Sequence, residues 1–383
     1  WRDALLFSAR RRFALQRAPT IYTLIQATQA EFHALLEHLQ RALAQEPPNP
    51  SDFALPGLAP QAHRVLVEQG RRGGPILALE RVVQAQAKCI RVLLIVGDEQ
   101  PVTAYHFDLA GGHPQSPAKE LFSFYEDILL RIATTVSTEE VTEHQLVNDP
   151  VPQDLWERLR TPATLTLAAR ELGQRGFFTD MVRIADLVQV PAVDHAVASQ
   201  YSEGCFSTWE PTLGALLTTV TGSLQPIINK GCISDQDLVI VVGIRSDGQG
   251  TLVRPIEGKD TKLPSSEAME MSLMDRSLPK ISLGPDWGIS AQVPVARSKL
   301  HGHRGVRAYD PHWVEYVPMD PPYYHYPVSC ATAAQAQGVA QAFARSEALR
   351  NPADPRQLVF TILPGHGVVL AEKWVLGKQP FQL

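Results

Sequence analysis

The sequence predicts an α/β protein in which helices cover a mixed sheet. Apolar residues recur at three- and four-residue steps in segments such as 165–172 and 331–349, and this spacing is typical of amphipathic helices. Short apolar runs rich in β-branched residues indicate buried strands at 239–242, 251–253, 358–363 and 368–370. The two kinds of segment follow no strict strand–helix–strand repeat, so we expect a mixed sheet and not a purely parallel one.

Length and composition exclude several classes of protein. The chain has 383 residues, of which 44% are hydrophobic, and its net charge is −5. At about 150 residues per domain, this length corresponds to two domains or one large domain. The hydrophobic content argues against a mainly disordered chain. The slight acidic excess argues against a general nucleic-acid-binding role, because phosphate neutralisation requires a basic surface. No run of about 18 apolar residues occurs, so we expect no membrane contact.

The cysteines indicate a reducing compartment. Cys89, Cys205, Cys232 and Cys330 lie far apart and form no CxxC pair, so we expect free thiols and a cytoplasmic protein. A structural zinc site built from cysteines is not expected. The chain opens with Trp1 in place of Met, which we interpret as a processed or trimmed form.

The first 150 residues are predicted to form a smaller, helix-rich α+β domain of unknown role. The segment 20–45 carries one apolar stripe at helical spacing and is predicted to be a single long helix. The other elements predicted there are helices over 76–88 and from 117 onward, strands over 89–96 and 102–109, and a loop over 110–114. The stretch 137–162 is polar and contains three prolines, so we place the boundary between domains 1–150 and 151–383 within it.

The pattern His301-Gly302-His303 is the first candidate for chemistry. Two histidines at i and i+2 on a strand point to the same face, so both imidazoles can reach one ion. The same spacing also arises incidentally in a chain with twelve histidines. The neighbouring Arg304 and Arg307 leave an anion site as another interpretation.

A third histidine, His366, lies between two glycines and between two predicted strands. One interpretation is a turn histidine that caps a strand. The other is a third imidazole that completes a set of three histidine ligands and leaves positions open for water or substrate.

Hydroxyl residues supply two further candidates. Ser265 and Ser266 precede Glu267, a pattern typical of a helix N-terminus in which Ser266 is the cap and Glu267 lies in the first turn. The functional alternative uses the hydroxyls for an anion and Glu267 as an acid or base. Thr221 and Gly222 lie in a stretch that suits either a phosphate cradle or an ordinary polar turn.

Taken in order, these segments resemble the class II aldolase/adducin family over residues 164–374. No single motif is specific for the family, and the resemblance depends on all of the motifs occurring in the same order. The landmarks are the opening helix 167–176, the turn 202–207, the threonine/serine-glycine loop 219–222, the segment 230–239, the proline-serine-serine-glutamate motif 264–267, the HxH motif 301–303 and the late His-Gly turn 365–369.

The resemblance implies an α/β/α fold around a central, mostly antiparallel sheet. It implies a divalent metal, usually zinc, with manganese, iron or nickel as alternatives, on His301, His303 and His366. It places the catalytic carboxylate on Glu267. The implied anchors for a substrate phosphate or carboxylate are Thr221, Gly222, Ser265 and Ser266. Members are commonly cyclic tetramers, so a homo-oligomer is expected.

The chain departs from the family pattern at two positions that bear on substrate. Cys205 stands where sugar-phosphate aldolases usually carry an asparagine that helps to hold phosphate, so we include Cys205 among the substrate-binding candidates. Arg304 follows the HxH motif in place of a small hydroxyl residue. These departures leave the substrate class open, and nothing in the family accounts for residues 1–150.

The expected function is that of a metal-dependent carbon–carbon lyase. Aldol cleavage and decarboxylation of a small carbonyl or carboxylate substrate share an enolate or enediolate intermediate, so the motifs do not separate them. Dehydration and epimerisation stay open as well. Glu267 is expected to move a proton. The alternative is a non-catalytic adducin-like assembly or binding module, for which the extra N-terminal region would suit a scaffold.

Overall fold

The computed structural model describes residues 22–27, 30, 34, 37, 51–53, 65–68, 92–97, 104–108, 111–114, 142–174, 204–220, 232–265, 267–284, 291–302, 305–320, 332–363 and 367–374. The helices predicted over 76–88 and from 117 onward lie outside these residues. Among the described residues, no helix combines the length and the apolar character needed to cross a membrane.

Eighteen strands are present in the described part of the chain. They are β1 Tyr22–Ala27, β2 Ser51–Phe53, β3 Val65–Glu68, β4 Val92–Gly97, β5 Ala104–Asp108, β6 Gly111–Pro114, β7 Glu143–Leu146, β8 Cys205–Glu210, β9 Ala215–Thr219, β10 Leu238–Ile244, β11 Gly250–Arg254, β12 Lys280–Ser282, β13 Gln292–Pro294, β14 Ala296–Gly302, β15 Gly305–Tyr309, β16 Val314–Tyr316, β17 Leu358–Leu363 and β18 Gly367–Lys373.

Five α-helices have defined bounds in the same residues. They are α1 Gln153–Arg158, α2 Thr161–Gln174, α3 Ala268–Ser277, α4 Ala333–Ala344 and α5 Glu347–Arg350. A short 3₁₀ helix, Asp235–Asp237, leads into β10 and carries a capping box made by Ser234 and Asp237.

A nine-stranded sheet organises the residues from 143 onward. Its strand order is β16-β17-β18-β14-β8-β9-β10-β11-β7. All neighbouring pairs are antiparallel except the two at the edges, β16 with β17 and β11 with β7, which are parallel. The predicted α/β class with a mixed sheet is confirmed.

Helices pack on both faces of this sheet. Leu300 on β14 and Leu370 on β18 form a buried cluster with Leu165 of α2. The next residue along β18, Val369, points to the opposite face and clusters with Met274 of α3, because successive side chains of a strand alternate between faces. Each large apolar side chain buried in this way contributes roughly 1.5–3 kcal/mol.

Several predicted elements match. The strands predicted at 239–242 and 251–253 form the hairpin β10–β11, whose turn contains Gly248 at a φ of 72°. This left-handed backbone conformation favours glycine. The strands predicted at 358–363 and 368–370 are β17 and β18. The helix predicted over 165–172 is the longer α2.

The prediction of one helix over 20–45 is wrong at its start. Tyr22–Ala27 is strand β1, which pairs in parallel with β4 from Tyr22↔Val92 to Ala27↔Gly97. Residues 30, 34 and 37 are helical. The segment 22–27 carries aromatic and β-branched residues that suit a strand, and pairing with a distant strand outweighs the local helical spacing.

Two further elements differ from prediction. The loop expected over 110–114 contains strand β6, which pairs with β5. The helix expected over 331–349 is divided into α4 and α5. Ser346 separates them, since its hydroxyl accepts from the amide of Leu349 and so begins a new helix. The same hydroxyl donates to the Glu315 carboxylate at 2.6 Å.

Strands that lie before the predicted domain boundary pair with strands that lie after it. β7, from the stretch 137–162, forms an edge of the nine-stranded sheet. β15, which follows the HxH motif, pairs with β3 of residues 65–68, and β3 pairs with β2.

Candidate active site

One end of the large sheet collects residues from three strands that are distant in sequence. His301 on β14 lies directly opposite Cys205, the first residue of β8, and opposite Val369 of β18. Residues directly opposite each other in a ladder point to the same face. His301 and Cys205 are both fully buried, with 0% exposure. The sheet therefore holds this histidine rigidly between two neighbouring strands.

The His301 ring is oriented by a backbone group. Nδ1 lies 3.2 Å from the carbonyl oxygen of Val368. A carbonyl accepts, so this contact requires a proton on Nδ1 and assigns the ring lone pair to Nε2. Metal-binding histidines commonly hold their second ring nitrogen in this way.

Helix α3 begins over the same face. Cys205 packs in a buried cluster with Ala268 and Met271, which lie in the first turn of α3. Glu267 is the N-cap residue, one position later than the predicted cap Ser266, which lies outside the described residues. Glu267 is partly exposed, whereas the residues that follow it are buried. The start of α3 thus brings a carboxylate to the end of the sheet where His301 lies.

Ser265 fixes the position of that carboxylate. Its hydroxyl donates to Glu267 Oε2 at 2.6 Å, and its amide donates to the carbonyl oxygen of Thr219 at 2.9 Å. Thr219 is the last residue of β9, two positions before Thr221. Ser265, predicted as an anion anchor, is therefore hydrogen-bonded to Glu267, the predicted catalytic carboxylate. Its backbone hydrogen bond also connects the start of α3 to β9.

Glu270 was not predicted from the sequence. It lies one turn after Glu267 and is 2% exposed. Its Oε2 accepts from Gln335 Nε2 of α4 at 3.3 Å. Burial raises the pKa of Glu270 well above its usual value, and the neighbouring Glu267 carboxylate raises it further. The sequence feature that could have indicated the burial of Glu270 is its position between Met269 and Met271 in a predominantly apolar helix segment.

A buried ion pair secures the other end of α3. Lys299 Nζ lies 2.5 Å from Asp275 Oδ1, and the two side chains are 0% and 4% exposed. Lys299 lies two residues before His301 and so points to the same face of the sheet. Burial lowers the pKa of Lys299 and raises that of Asp275. The pair fixes α3 against β14.

A second buried pair lies at the far end of β14. Arg297 and Glu372 are 3% and 1% exposed, and the guanidinium lies 5.1 Å from the ring centroid of Trp374. Burial raises the pKa of Glu372 to about 7, although Arg297 opposes this shift. Burial lowers the pKa of Arg297 to about 10. This pair belongs to the core and lies away from His301.

The structure brings together four of the predicted site residues: Cys205, Ser265, Glu267 and His301. The other five, Thr221, Gly222, Ser266, His303 and His366, lie outside the described residues. Among the residues that are described, no group of three or more His, Cys, Asp or Glu side chains is placed to hold a metal.

A separate cavity of about 580 Å³ lies beside α3, α4 and the β10–β11 hairpin. Its lining includes Met269, Leu273, Arg276 and Gln341. None of the four predicted site residues that the structure describes lines it.

No protein-family model matches this chain, and no curated protein matches its sequence.

Proposed function

We propose that the protein is a metal-dependent carbon–carbon lyase that acts through an enolate or enediolate intermediate. The substrate is a small carbonyl or carboxylate compound, and the reaction is aldol cleavage or decarboxylation. His301, His303 and His366 are the proposed metal ligands, and Glu267 is the proposed proton-transfer residue.

Chain connectivity around one strand pair carries the proposal. Gly302 on β14 lies opposite Val368 on β18. His303 directly follows Gly302, and His366 directly precedes Gly367, the first residue of β18. Consecutive Cα atoms are about 3.8 Å apart. Both histidines therefore attach to the same strand pair that holds His301, which supports a shared centre.

The chemistry of the donor set fits zinc. Three neutral imidazoles are a common catalytic ligand set for this ion, and they leave a coordination position open. The contact between His301 Nδ1 and the Val368 carbonyl supports Nε2 as the ligand atom. Manganese, iron and nickel also accept imidazole. When bound, a divalent cation supplies stabilisation for the negative charge that develops on an enolate oxygen.

The chain itself supplies orientation and proton transfer. Ser265 orients the Glu267 carboxylate by a 2.6 Å hydrogen bond to Oε2, and this carboxylate is proposed to accept or return a proton at the carbon next to the substrate carbonyl. The position of Glu267 at the N-terminus of α3 favours its charged form. Ser266, Thr221 and Gly222 are proposed to bind a phosphate or carboxylate group of the substrate, and Cys205 to pack near it.

Metal content is the first test. Purified full-length protein is expected to contain about one zinc, manganese, iron or nickel ion per chain by inductively coupled plasma mass spectrometry. His301→Ala and, separately, His303→Ala are expected to lose the ion. His312→Ala is the matched control, because His312 is exposed and lies outside the proposed ligand set.

Proton exchange is the second test. Dihydroxyacetone and pyruvate serve as probes in D₂O, and NMR measures deuterium incorporation next to the carbonyl. The wild-type protein is expected to catalyse this exchange, and Glu267→Gln is expected to stop it while retaining the metal. Wild-type protein that lacks a stoichiometric metal would contradict the lyase proposal and leave the adducin-like binding module as the better interpretation. We also propose a homo-oligomer, with the tetramer implied by the family resemblance, and light scattering after gel filtration checks it.

A further inference from the structure

We propose that Glu267 and Glu270 form a carboxyl pair that holds a single proton, and that Gln335 positions Glu270 as its neutral member. This inference rests on the proposed function in one respect, namely that Glu267 is the residue that exchanges a proton with substrate. The protonation of the pair does not depend on that reaction.

The first argument is the position of the two carboxyl groups. Glu267 is the N-cap of α3, and Glu270 is the third residue of the helix. Side chains three residues apart on a helix are neighbours, with Cβ atoms about 5–6 Å apart. Two carboxylates at this separation repel each other when both are charged.

The second argument is the surroundings of Glu270. The side chain is 2% exposed, and Gln335, its hydrogen-bonding partner, is 4% exposed. Among the described residues, Oε1 of Glu270 and Oε1 of Gln335 form no hydrogen bond. Both atoms are acceptors when Glu270 is charged. Gln335 Nε2 donates to Oε2 in either protonation state, and a proton on Oε1 removes the buried charge without breaking that hydrogen bond.

The third argument is that no lysine or arginine in the described part of the chain is paired with Glu270. Helix α4, which packs along α3, carries no titratable residue. Among the described residues, the lysines and arginines on the strands packed against α3 pair with carboxylates other than Glu270. Lys299 is paired with Asp275, Arg245 with Glu143 and Asp247, and Arg254 with Asp149, while Cys205 and His301 lie on the central strands. Burial and the Glu267 charge both raise the pKa of Glu270, and they outweigh the hydrogen bond from Gln335, which lowers it.

The functional consequence concerns the charge of the site. With Glu270 neutral, the pair carries one negative charge, located on Glu267. Transfer of the proton breaks the O–H bond of Glu270, forms one on Glu267 and moves the negative charge to Glu270, so the total charge is unchanged. Glu267 in its charged form can accept a proton from the substrate carbon, whose C–H electron pair stays on the substrate, and both members of the pair are then neutral. Return of that proton restores the pair with one proton. Glu270 is a positioning residue in this arrangement, since it acts through Glu267.

The direct test is the pH dependence of the folding equilibrium of the full-length protein in EDTA, without substrate. Glu270 has a raised pKa in the folded state, so folded protein binds more protons than unfolded protein between the ordinary glutamate pKa and the raised value. Stability then falls as pH rises through this window, by up to about tenfold in the folding equilibrium constant per pH unit for one proton.

Glu270→Gln is expected to remove the contribution of one proton to this dependence and to leave that of Glu372, because glutamine keeps the neutral shape and cannot ionise. Glu257→Gln, at an exposed position, is the matched control and is expected to behave as wild type. An unchanged pH dependence in Glu270→Gln would overturn the inference. So would a marked change in the wild-type curve when Mg²⁺ or Ca²⁺ replaces EDTA, since the two acceptor oxygens would then belong to a cation site.

A second variant covers the case in which Glu270→Gln does not fold. Glu267→Gln removes the charge that raises the pKa of Glu270, so the window is expected to end at lower pH. Identical curves for Glu267→Gln and wild type would show that the carboxyl groups do not interact and would overturn the pair.

The pH profile of proton exchange tests the use of the pair. Glu270→Gln is expected to lose one ionisation on the alkaline side of the rate profile, whereas a purely structural residue would change the rate equally at all pH values. Failure of the lyase proposal would appear as missing metal and missing exchange, with the stability result unaffected. The two failures are therefore distinguishable.

Discussion

The two ends of helix α3 bury carboxyl groups in different surroundings. At the C-terminal end, Asp275 lies 2.5 Å from Lys299 in an almost fully buried ion pair. At the N-terminal end, Glu270 lies beside a neutral amide and a second carboxylate, and no described Lys or Arg pairs with it.

The difference separates a structural role from a chemical one. A buried carboxylate with a cation partner forms an ion pair that holds two elements together. The cation favours the charged form of the carboxylate, so the pair stays intact. A buried carboxyl group without a cation is more stable in its neutral form, and it can then store a proton. The same helix therefore provides a fixed end and a titratable end.

Breaking the fixed end is expected to have the largest effect on stability. Lys299→Met leaves Asp275 buried without a partner, and loss of one member of a buried ion pair costs about 3–5 kcal/mol. Urea denaturation measures this cost. The double variant Lys299→Met with Asp275→Leu is expected to recover most of it, because apolar side chains can replace a buried pair. A single variant that loses less than about 1 kcal/mol would contradict the structural role.

Glu372 provides an intermediate case that sharpens the comparison, because it has a cation partner and still has a pKa of about 7. Its folded pKa is raised, so stability is expected to fall as pH rises from about 4.5 to about 7, by roughly 3 kcal/mol in total. Glu372→Gln is expected to lose this contribution in unfolding measured across the same pH range. If Glu372→Gln and wild type lose equal stability across this pH range, then Arg297 keeps Glu372 charged. Glu372 would in that case resemble Asp275, which is part of an ion pair.

Ser265→Ala tests the titratable end more gently. The hydroxyl donates to the Glu267 carboxylate, and a hydrogen bond to a charged group contributes about 1.5–3 kcal/mol. Glu267 is partly exposed, so we expect a loss near the lower value. The proposed proton exchange is expected to fall more than stability, since the carboxylate loses its orientation. Ser277→Ala, at the other end of α3, is the control, and equal losses of exchange in both variants would contradict this role.

Thr332→Ala is expected to have the smallest effect. The Thr332 hydroxyl caps α4 by accepting from the amide of Gln335, and loss of such a cap costs about 1 kcal/mol. Because Gln335 contacts Glu270, the variant is also expected to loosen the titratable end and to reduce the pH dependence of stability slightly. Thr332→Ser, which retains the hydroxyl, should restore wild-type behaviour in thermal unfolding.

The periodic patterns of the sequence were sufficient for several elements after residue 143. The runs at 239–242, 251–253 and 358–363 have strand periodicity, and the structure confirms them as β10, β11 and β17. Glu267 was placed correctly at the start of a helix, with an error of one residue in the cap. Tyr22–Ala27 was predicted as helix because its helical spacing is local, whereas its partner strand lies about 70 residues away.

The candidate site was only partly accessible from local patterns. The order of motifs proposed Cys205, Ser265, Glu267 and His301, and the structure brings these four to one end of the sheet. Glu270 was not predicted as a site residue, because a glutamate on an exposed helix face would be an ordinary charged residue. Only the packing of α4 against α3 removes it from water.

The sequence by itself determined several of the helices and strands, such as α2, β10 and β17, because the periods of 3.6 and 2 are properties of neighbouring residues. It also determined which side chains have the chemistry to bind a metal or move a proton. The tertiary structure alone decided which of those side chains meet, since Cys205 and His301 are joined only by the register of β8 and β14. It alone decided the raised pKa of Glu270, because desolvation depends on every element that surrounds a group and not on its neighbours in the chain.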